Sequence, residues 1–280
     1  MGMPFDYNYH THTFRCGHAS GTDEDYVKKA IEGHYRILGF SDHVIWPDYS
    51  QIGMRGSPSE AKGYFQSIRD LQGKYENKLQ IWLGFECEWC GERYAAYYHD
   101  LLAKGQVDYL ILGQHGFFKD GRFIFYSSLT DKRAALAQYT QDLIAGIHSR
   151  LFAYVAHPDA FLEWYGSWDG FAQECSIRLI EVAAQSRIPL EVNIGHSKWR
   201  NQKPAPSVAP YTYPFPDFWS MAAEAGARAL VGVDAHAPNE LLTAPFDWTR
   251  DFLDENRLNY TNRLDLPFRL NEPSSTKKSM

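Results

Sequence analysis

Short apolar runs alternate along the chain with longer segments whose apolar residues recur at helical spacing. The apolar runs predict seven strands, at 5–9, 36–40, 79–85, 107–113, 152–156, 189–194 and 227–233. The longer segments predict helices at 23–34, 58–75, 92–104, 131–148, 170–186 and 216–225. Because strands that alternate with helices are typical of parallel βα units, we expect an α/β fold. A closed or nearly closed barrel fits this order, and an open doubly wound sheet is the competing shape.

Two of the predicted helices carry recognisable start signals. Thr22 precedes three acidic residues, which predicts an N-cap followed by a first turn that suits the helix dipole. Ser57 precedes Pro58, and proline is favoured at the first position of a helix. These signals predict where the helices of the first two βα units begin.

Length and composition predict one globular domain. The 280 residues are 44% hydrophobic and 15% aromatic, which is enough to bury a substantial core. We expect a single domain over 1–268 and a polar, disordered tail over 269–280. Within that domain, the segment 199–216 contains five prolines and predicts an irregular loop after the sixth strand.

Charge and motifs exclude several classes of function. The 28 Lys and Arg against 34 Asp and Glu give a net charge of −6, which argues against a nucleic-acid partner held by bulk charge. No apolar run reaches 18 residues and no signal region opens the chain, so we expect a cytoplasmic protein with no membrane partner. Neither a dinucleotide fingerprint nor a phosphate-binding loop motif is present. The four cysteines are too few for a disulfide framework.

Histidines and carboxylates follow six of the seven predicted strands. They are His10 and His12 after the first, His43 after the second, Glu86 and Glu88 after the third, His115 after the fourth, His157 after the fifth, and Asp234 and His236 after the seventh. In a parallel α/β barrel the carboxyl ends of the strands open onto one face, so we expect these side chains to converge there.

Imidazole and carboxylate together suit zinc, manganese or iron. A single histidine is more often structural than a ligand, but seven of the 11 histidines lie at or just after strand ends, and that coincidence favours a metal centre. These seven histidines, which include His18, make nine candidates together with Glu86 and Asp234. One ion takes about four to six ligands, so the sequence predicts two or three ions with Glu86 shared between them.

The run HTHTFRCGHASGTDEDYVKKAIE, followed by GFSDH, strongly resembles the PHP (polymerase and histidinol phosphatase) family, and most closely its histidinol-phosphate phosphatase branch. The resemblance spans residues 5 to about 240. Its four motifs are His10-Thr11-His12 with His18; Asp42-His43; Glu86 with His115; and His157 with Asp234-Ala235-His236.

The resemblance implies a distorted (βα)7 TIM-like barrel with a trinuclear centre. It assigns His10, His12, Glu86 and Asp234 to one ion, Glu86, His115 and His157 to a second, and His18, His43 and His236 to a third. The implied reaction is metal-dependent hydrolysis of a phosphate monoester, with L-histidinol phosphate, an intermediate of histidine biosynthesis, as the leading substrate. A hydroxide that bridges two ions would attack phosphorus, and Glu86 and Asp234 would position it.

Substrate contacts and substrate identity stay open at this point. Lys198 and Arg200, after the sixth strand, are candidates to bind the phosphate, together with Arg15 and Arg55, while Glu88 could pair with a substrate ammonium group. Because the proline-rich segment departs from the branch, another PHP phosphoesterase substrate is the alternative: a phosphotyrosyl protein, a nucleotide or a cyclic sugar phosphate. A barrel that only stores metal is a further alternative. The sequence does not indicate an oligomeric state.

Overall fold

A computed structural model describes residues 5–195 and 213–264. Four parallel strands form the first part of its sheet, in the order β1 (Tyr7–Asn8), β2 (Ile37–His43), β3 (Gln80–Cys87) and β4 (Tyr109–Leu112). Three more parallel strands form the second part: β7 (Leu190–Asn193), β8 (Arg228–Gly232) and β9 (Asn259–Tyr260). The α/β fold predicted from the alternation is confirmed.

Single residue bridges join the two parts of the sheet. Val155 pairs in parallel with Leu112 at one side and with Leu190 at the other, so the predicted strand at 152–156 is present as a bridge between β4 and β7. At the opposite side, Thr11 pairs in parallel with Ala235, beyond the ends of β1 and β8. The parallel sheet is therefore curled, and the carboxyl ends of its strands face a common space.

All six predicted helices are present with shifts of a few residues at their ends. Their bounds are Asp23–Glu32, Ala61–Tyr75, Glu92–Ala103, Lys132–Ser149, Gly170–Ser186 and Pro216–Glu224. The Thr22 start is confirmed as a reciprocal capping box with Asp25. Ser57 and Pro58 begin a short 3-10 turn, Pro58–Glu60, that leads into the helix at Ala61.

Several short elements were not predicted. Helices Leu162–Tyr165, Glu240–Thr243 and Phe246–Glu255 follow the fifth and seventh strand positions, and 3-10 turns lie at Phe14–Cys16 and Tyr126–Ser128. Four of these elements have only three or four residues, which is too few for helical periodicity to show; Phe246–Glu255, with ten residues, was overlooked.

A β-hairpin after β4 was also not predicted. Its strands are β5 (Gly116–Lys119) and β6 (Arg122–Phe125), joined by Asp120 and Gly121. Both turn residues have positive φ, of 50° and 75°, as the two-residue turns of hairpins require. The Asp-Gly pair between apolar residues was a usable signal. The hairpin places Phe125 beside the strand ends.

The core is built from the strands and the inner faces of the helices. Residues of β2, β4 and β7 are buried along their whole length. The Tyr109 hydroxyl donates to the Tyr9 carbonyl oxygen at 2.7 Å across the interior, and Gly39 and Gly84 leave room for its ring. Within residues 5–195 and 213–264, no helix combines the length and apolarity needed to cross a membrane.

Candidate metal centre

The nine predicted ligands all lie at the carboxyl ends of the strands, and the curled sheet brings them together. His10 and His12 follow β1, His43 ends β2 and Glu86 is the penultimate residue of β3. The remaining five lie in the loop after β1 and beyond the other strands: His18, His115, His157, Asp234 and His236. Five of the nine predicted ligand residues have less than 6% of their surface exposed: His10, His12, His43, Glu86 and Asp234.

The innermost set consists of His10, His12, Glu86 and Asp234. His10 Nε2 lies 3.2 Å from His12 Nε2 and 3.6 Å from Glu86 Oε1. Asp234 Oδ1 lies 3.4 Å from His10 Nε2 and 3.0 Å from His12 Nε2. Within this set, the atoms that lie closest together are therefore the nitrogen and oxygen atoms that can bind a metal ion.

Glu86 joins this set to two others. Its Oε1 lies 2.8 Å from His157 Nε2 and 3.6 Å from His115 Nε2, and its Oε2 lies 3.0 Å from His43 Nδ1. On the far side of His12, His236 Nε2 lies 3.1 Å from His18 Nε2. The histidines around Glu86 thus fall into groups on both sides of one carboxylate.

The spacing of these atoms fits shared divalent cations. Two nitrogens at about 2.05 Å from one tetrahedral zinc ion lie about 3.3 Å apart. The spacings within the innermost set run from 3.0 to 3.6 Å. His12 Nδ1, His43 Nδ1 and Glu86 Oε2 are also buried and make no hydrogen bond of good geometry, although the last two atoms lie 3.0 Å apart. Buried acceptors of this kind are costly unless a cation or a donor satisfies them.

Two of the predicted ligand residues have a strained backbone. His157 and Asp234 have φ angles of 33° and 51°, in the left-handed region that few residues other than glycine adopt. Such conformations cost on the order of 1–3 kcal/mol each and cluster at functional sites. The sharp turns direct both side chains from their strand ends toward Glu86 and His10.

The electrostatics of the cluster favour bound positive charge. Burial disfavours protonation of His10, but three neighbouring carboxylates outweigh it and raise the pKa well above its usual range. Burial also disfavours protonation of His12, but the neighbouring carboxylates outweigh it and raise the pKa of His12 to about 9. Burial opposes ionisation of Glu86, yet the surrounding histidines lower its pKa well below the usual range. Metal ions compete with protons for such ligands.

The outer histidines behave differently. Burial, together with His12, lowers the pKa of His43 well below its usual value and that of His236 to about 3. Both are therefore neutral at pH 7, which is the form that binds metal. Cys16 lies within the same group as His18 and His236, but burial raises the pKa of its thiol to about 12.

Glu191 contacts the ring nitrogen of His10 that faces away from the other predicted ligands, and it was not predicted from the sequence. It is fully buried in β7, with its two carboxylate oxygens 2.8 and 3.1 Å from His10 Nδ1. Oε2 also accepts from the His157 backbone N–H at 3.1 Å and from Asn193 Nδ2 at 3.2 Å. Asn193 Nδ2 in turn lies 3.1 Å from Asp234 Oδ2. The available signal was a charged residue in the middle of an apolar strand, PLEVNI.

The predicted substrate-binding charges are engaged with other side chains. Arg55 makes a two-point ion pair with Glu88, at 2.9 and 3.2 Å, and both are buried. Glu88 Oε1 also lies 3.1 Å from His115 Nδ1, where it can orient that ring. Arg15 makes a two-point ion pair with Asp23, at 2.7 and 2.9 Å.

The other two predicted substrate contacts, Lys198 and Arg200, lie outside the described residues, as do most of the proline-rich segment 199–216 and the predicted tail 269–280.

A cavity of about 410 Å³ opens over the cluster. Glu86 and Asp234 line it together with Met54, Phe125 and Glu240. A phosphate ester of a small metabolite fits within this volume.

Comparison with known proteins identifies relatives over most of the chain. The model of the PHP domain family matches residues 8–195. The chain is 27% identical over 237 residues to a protein of Deinococcus radiodurans named "Probable histidinol-phosphatase", covering 83% of this chain and 86% of that protein.

Two solved structures share the fold. One is the histidinol phosphate phosphatase of Lactococcus lactis subsp. lactis Il1403, complexed with zinc, L-histidinol and phosphate. It has a TM-score of 0.69 and 15% identity, over 92% of this chain and 98% of that one. The other is the "putative histidinol phosphatase" of Listeria monocytogenes, with a TM-score of 0.65 and 19% identity, over 84% and 96%.

Proposed function

Because the chain belongs to the PHP domain family, we propose that it is a metal-dependent phosphomonoester hydrolase that converts L-histidinol phosphate to L-histidinol and phosphate. One observation carries the proposal: seven histidines and two carboxylates from six strand ends converge so that each lies within 3.6 Å of another member of the set. The substrate follows from the similarity to the Deinococcus radiodurans protein and to the Lactococcus lactis complex.

The chain's own residues would hold two or three divalent ions, with zinc, manganese and iron as the candidates. His10, His12, Glu86 and Asp234 form one site, Glu86, His115 and His157 a second, and His18, His43 and His236 a third. When bound, such ions supply the Lewis-acid and nucleophile-generating chemistry that hydrolysis of a phosphate ester needs.

The role of each carboxylate follows from its contacts. Glu86 belongs to the inner set and also contacts His157, so it fixes the spacing between the first and second metal sites. Asp234 contacts the two histidines of the inner set. Its negative charge and that of Glu86 together offset the positive charge of the ions that the site would bind. Glu88 holds His115 through Nδ1 and leaves Nε2 directed at Glu86.

Phosphate would enter the 410 Å³ cavity above these residues. Lys198 and Arg200 are the proposed phosphate contacts, since in the sequence they follow the carboxyl end of β7. The ion pairs of Arg15 with Asp23 and of Arg55 with Glu88 favour a structural role for those two arginines.

We also infer the finer architecture. Parallel bridges join β4 through Val155 to β7, and another joins the residues after β8 to those after β1. This ring of pairings supports a distorted (βα)7 barrel, and the PHP match supports a single catalytic domain over 1–268.

A phosphatase assay against a panel of phosphorylated metabolites, with bound metal measured on the same sample, tests the proposal. We expect a sharp preference for L-histidinol phosphate. His157→Ala should abolish turnover, whereas replacement of His99, an exposed histidine on the helix Glu92–Ala103, by alanine should leave it unchanged. Metal-loaded protein that hydrolyses no phosphate ester would contradict the proposal. A preference for a nucleotide, a phosphotyrosyl protein or a cyclic sugar phosphate would instead support another PHP phosphoesterase.

A further inference from the structure

A cavity of about 560 Å³ lies at the amino end of the sheet, whereas the metal centre lies at the carboxyl end. Its lining includes Phe152, which precedes the bridge at Val155, and Ile188, which precedes β7. The carboxyl ends of the helices Lys132–Ser149 and Gly170–Ser186 contribute to it as well. None of the nine predicted metal ligands lines this cavity, so a molecule bound there would occupy a separate site.

The charge of this cavity is positive. Arg150 and Arg187 both line it, with His148 beside them, and no aspartate or glutamate is among its lining residues in the described parts of the chain. The two arginines come from neighbouring βα units, since the segments that follow them are bridged in parallel through Val155 and Leu190. Positive charge is therefore concentrated here in a chain whose net charge is −6. Like charges held close together repel, and a bound anion would remove that repulsion.

The guanidinium groups of Arg150 and Arg187 are available to a ligand. Across 5–195 and 213–264, neither group makes a hydrogen bond, an ion pair or a ring contact, and both side chains are exposed. A cation near a helix carboxyl end also suits the helix dipole. At these two ends, however, the backbone N–H groups of Arg150 and Arg187 donate to the carbonyl oxygens of Ile147 and Ala184, at 3.2 and 3.1 Å. The five N–H donors of each guanidinium are not used on the helix ends.

A smaller cavity, of about 270 Å³, adjoins the first. Ala153 and Arg187 line both cavities, and Arg228 and Arg263 line the smaller one. Arg263 is paired with Asp6 at 3.3 Å, so part of its charge is already offset. Positive charge nevertheless continues from the first cavity into the second, and Arg187 lies where the two meet.

We propose that the 560 Å³ cavity binds a small organic dianion through Arg150 and Arg187. The guanidinium group binds phosphate and carboxylate oxygens through two parallel N–H···O bonds, so either group suits the site. Apolar side chains, among them Phe152 and Ile188, form the rest of the lining, which favours an anion carried on a carbon skeleton over a bare inorganic ion. The inference is independent of the proposed function, because no predicted metal ligand takes part.

An NMR titration of the metal-loaded protein tests this assignment, because it locates binding without relying on turnover. The probes are propylphosphonate, a phosphate analogue that a phosphatase cannot hydrolyse, and succinate, a dicarboxylate. At least one of them should shift the backbone N–H signals of Ala153 and Ile188 saturably, with a Kd on the order of 1 mM at low salt. The tighter probe identifies the anionic group. Binding should weaken as sodium chloride is added, and sodium chloride alone should give no saturable shift.

Removal of the two charges gives the second readout. Arg150→Gln/Arg187→Gln should raise the Kd at least about tenfold, and Arg150→Lys/Arg187→Lys, which keeps the charge but loses the fork, should raise it less. Arg178→Gln removes an exposed arginine from the helix Gly170–Ser186 outside the cavity and should leave the Kd unchanged. Circular dichroism would establish that each variant is folded.

Two results would overturn the assignment. One is the absence of saturable shifts at Ala153 and Ile188 with both probes, including the case in which signals shift only around the metal centre. The other is a Kd that is the same in wild type and in a folded variant that lacks both arginines; if the double glutamine variant does not fold, Arg187→Gln takes its place in this comparison.

Discussion

Replacement of Glu191 by glutamine should weaken metal binding although Glu191 lies behind the ligands. The two carboxylate oxygens accept from three donors: His10 Nδ1, the His157 backbone N–H and Asn193 Nδ2. Glutamine has only one oxygen. Whichever way its amide is turned, its NH2 group faces a donor, and the negative charge that makes His10 a better ligand is lost.

The size of the effect follows from the contacts. Partners that orient a metal-binding histidine are typically worth about 10–100-fold in metal affinity, or about 1.4–2.7 kcal/mol. Because Glu191 contacts ligand-bearing residues on two strand ends and reaches Asp234 through Asn193, we expect the upper half of that range. The loss should fall on the site that contains His10.

Competition with a chelator, with bound zinc measured at each concentration, gives the affinity of each site. We expect one ion to be lost at a chelator concentration that leaves the others bound. Circular dichroism would establish that the variant is folded, and Glu174→Gln controls for the change in net charge. A folded Glu191→Gln protein whose zinc affinities all lie within about twofold of wild type would refute the reasoning, because it would show that Glu191 does not hold His10 in its ligand geometry.

Three further predictions follow from the packing around the centre. A Cβ at Gly113 would lie 1.9 Å from Glu86 Oε1, so Gly113→Ala should reduce bound metal well below one ion per chain, measured by elemental analysis, while Gly73→Ala, which meets nothing within 4 Å, should not. Arg55→Met leaves buried Glu88 without its partner and should lower the free energy of unfolding in urea by about 3–5 kcal/mol, with part recovered in Arg55→Met/Glu88→Gln. Burial raises the pKa of Asp159 to about 6, so the folded state gains protons relative to the unfolded state between about pH 4 and 6, and stability is lost as pH rises through that window. Asp159→Asn should therefore gain up to about 3 kcal/mol relative to wild type between pH 4 and pH 7 in urea unfolding; a constant difference would contradict this.

The sequence was sufficient for the order of the main strands and helices and for the set of side chains that cluster at the strand ends, because both depend on local signals. Strand-end histidines are visible in HTH and GFSDH, and the parallel order follows from alternation with helices. Partners of charged side chains were not local. The sequence suggested that Arg55 and Glu88 face the substrate, but they lie 33 residues apart and neutralise each other in the core. Nothing in either segment specifies which distant charge will be its neighbour.

The missed Glu191 shows what a buried carboxylate requires from the rest of the sheet. A Cβ at Gly232, on the adjacent strand β8, would lie 1.8 Å from Glu191 Oε1, just as one at Gly113 would meet Glu86. Glu86 and Glu191 therefore each lie against a glycine in, or one residue beyond, the neighbouring strand and close to a histidine that offsets the charge. The glycine provides volume that a side chain would fill, and the histidines offset the desolvation of the charge. A charged residue within an apolar strand, together with a glycine two residues beyond its register partner on the next strand, is thus the combined signal for such a site. Recognising it needs the strand register that only the folded structure provides.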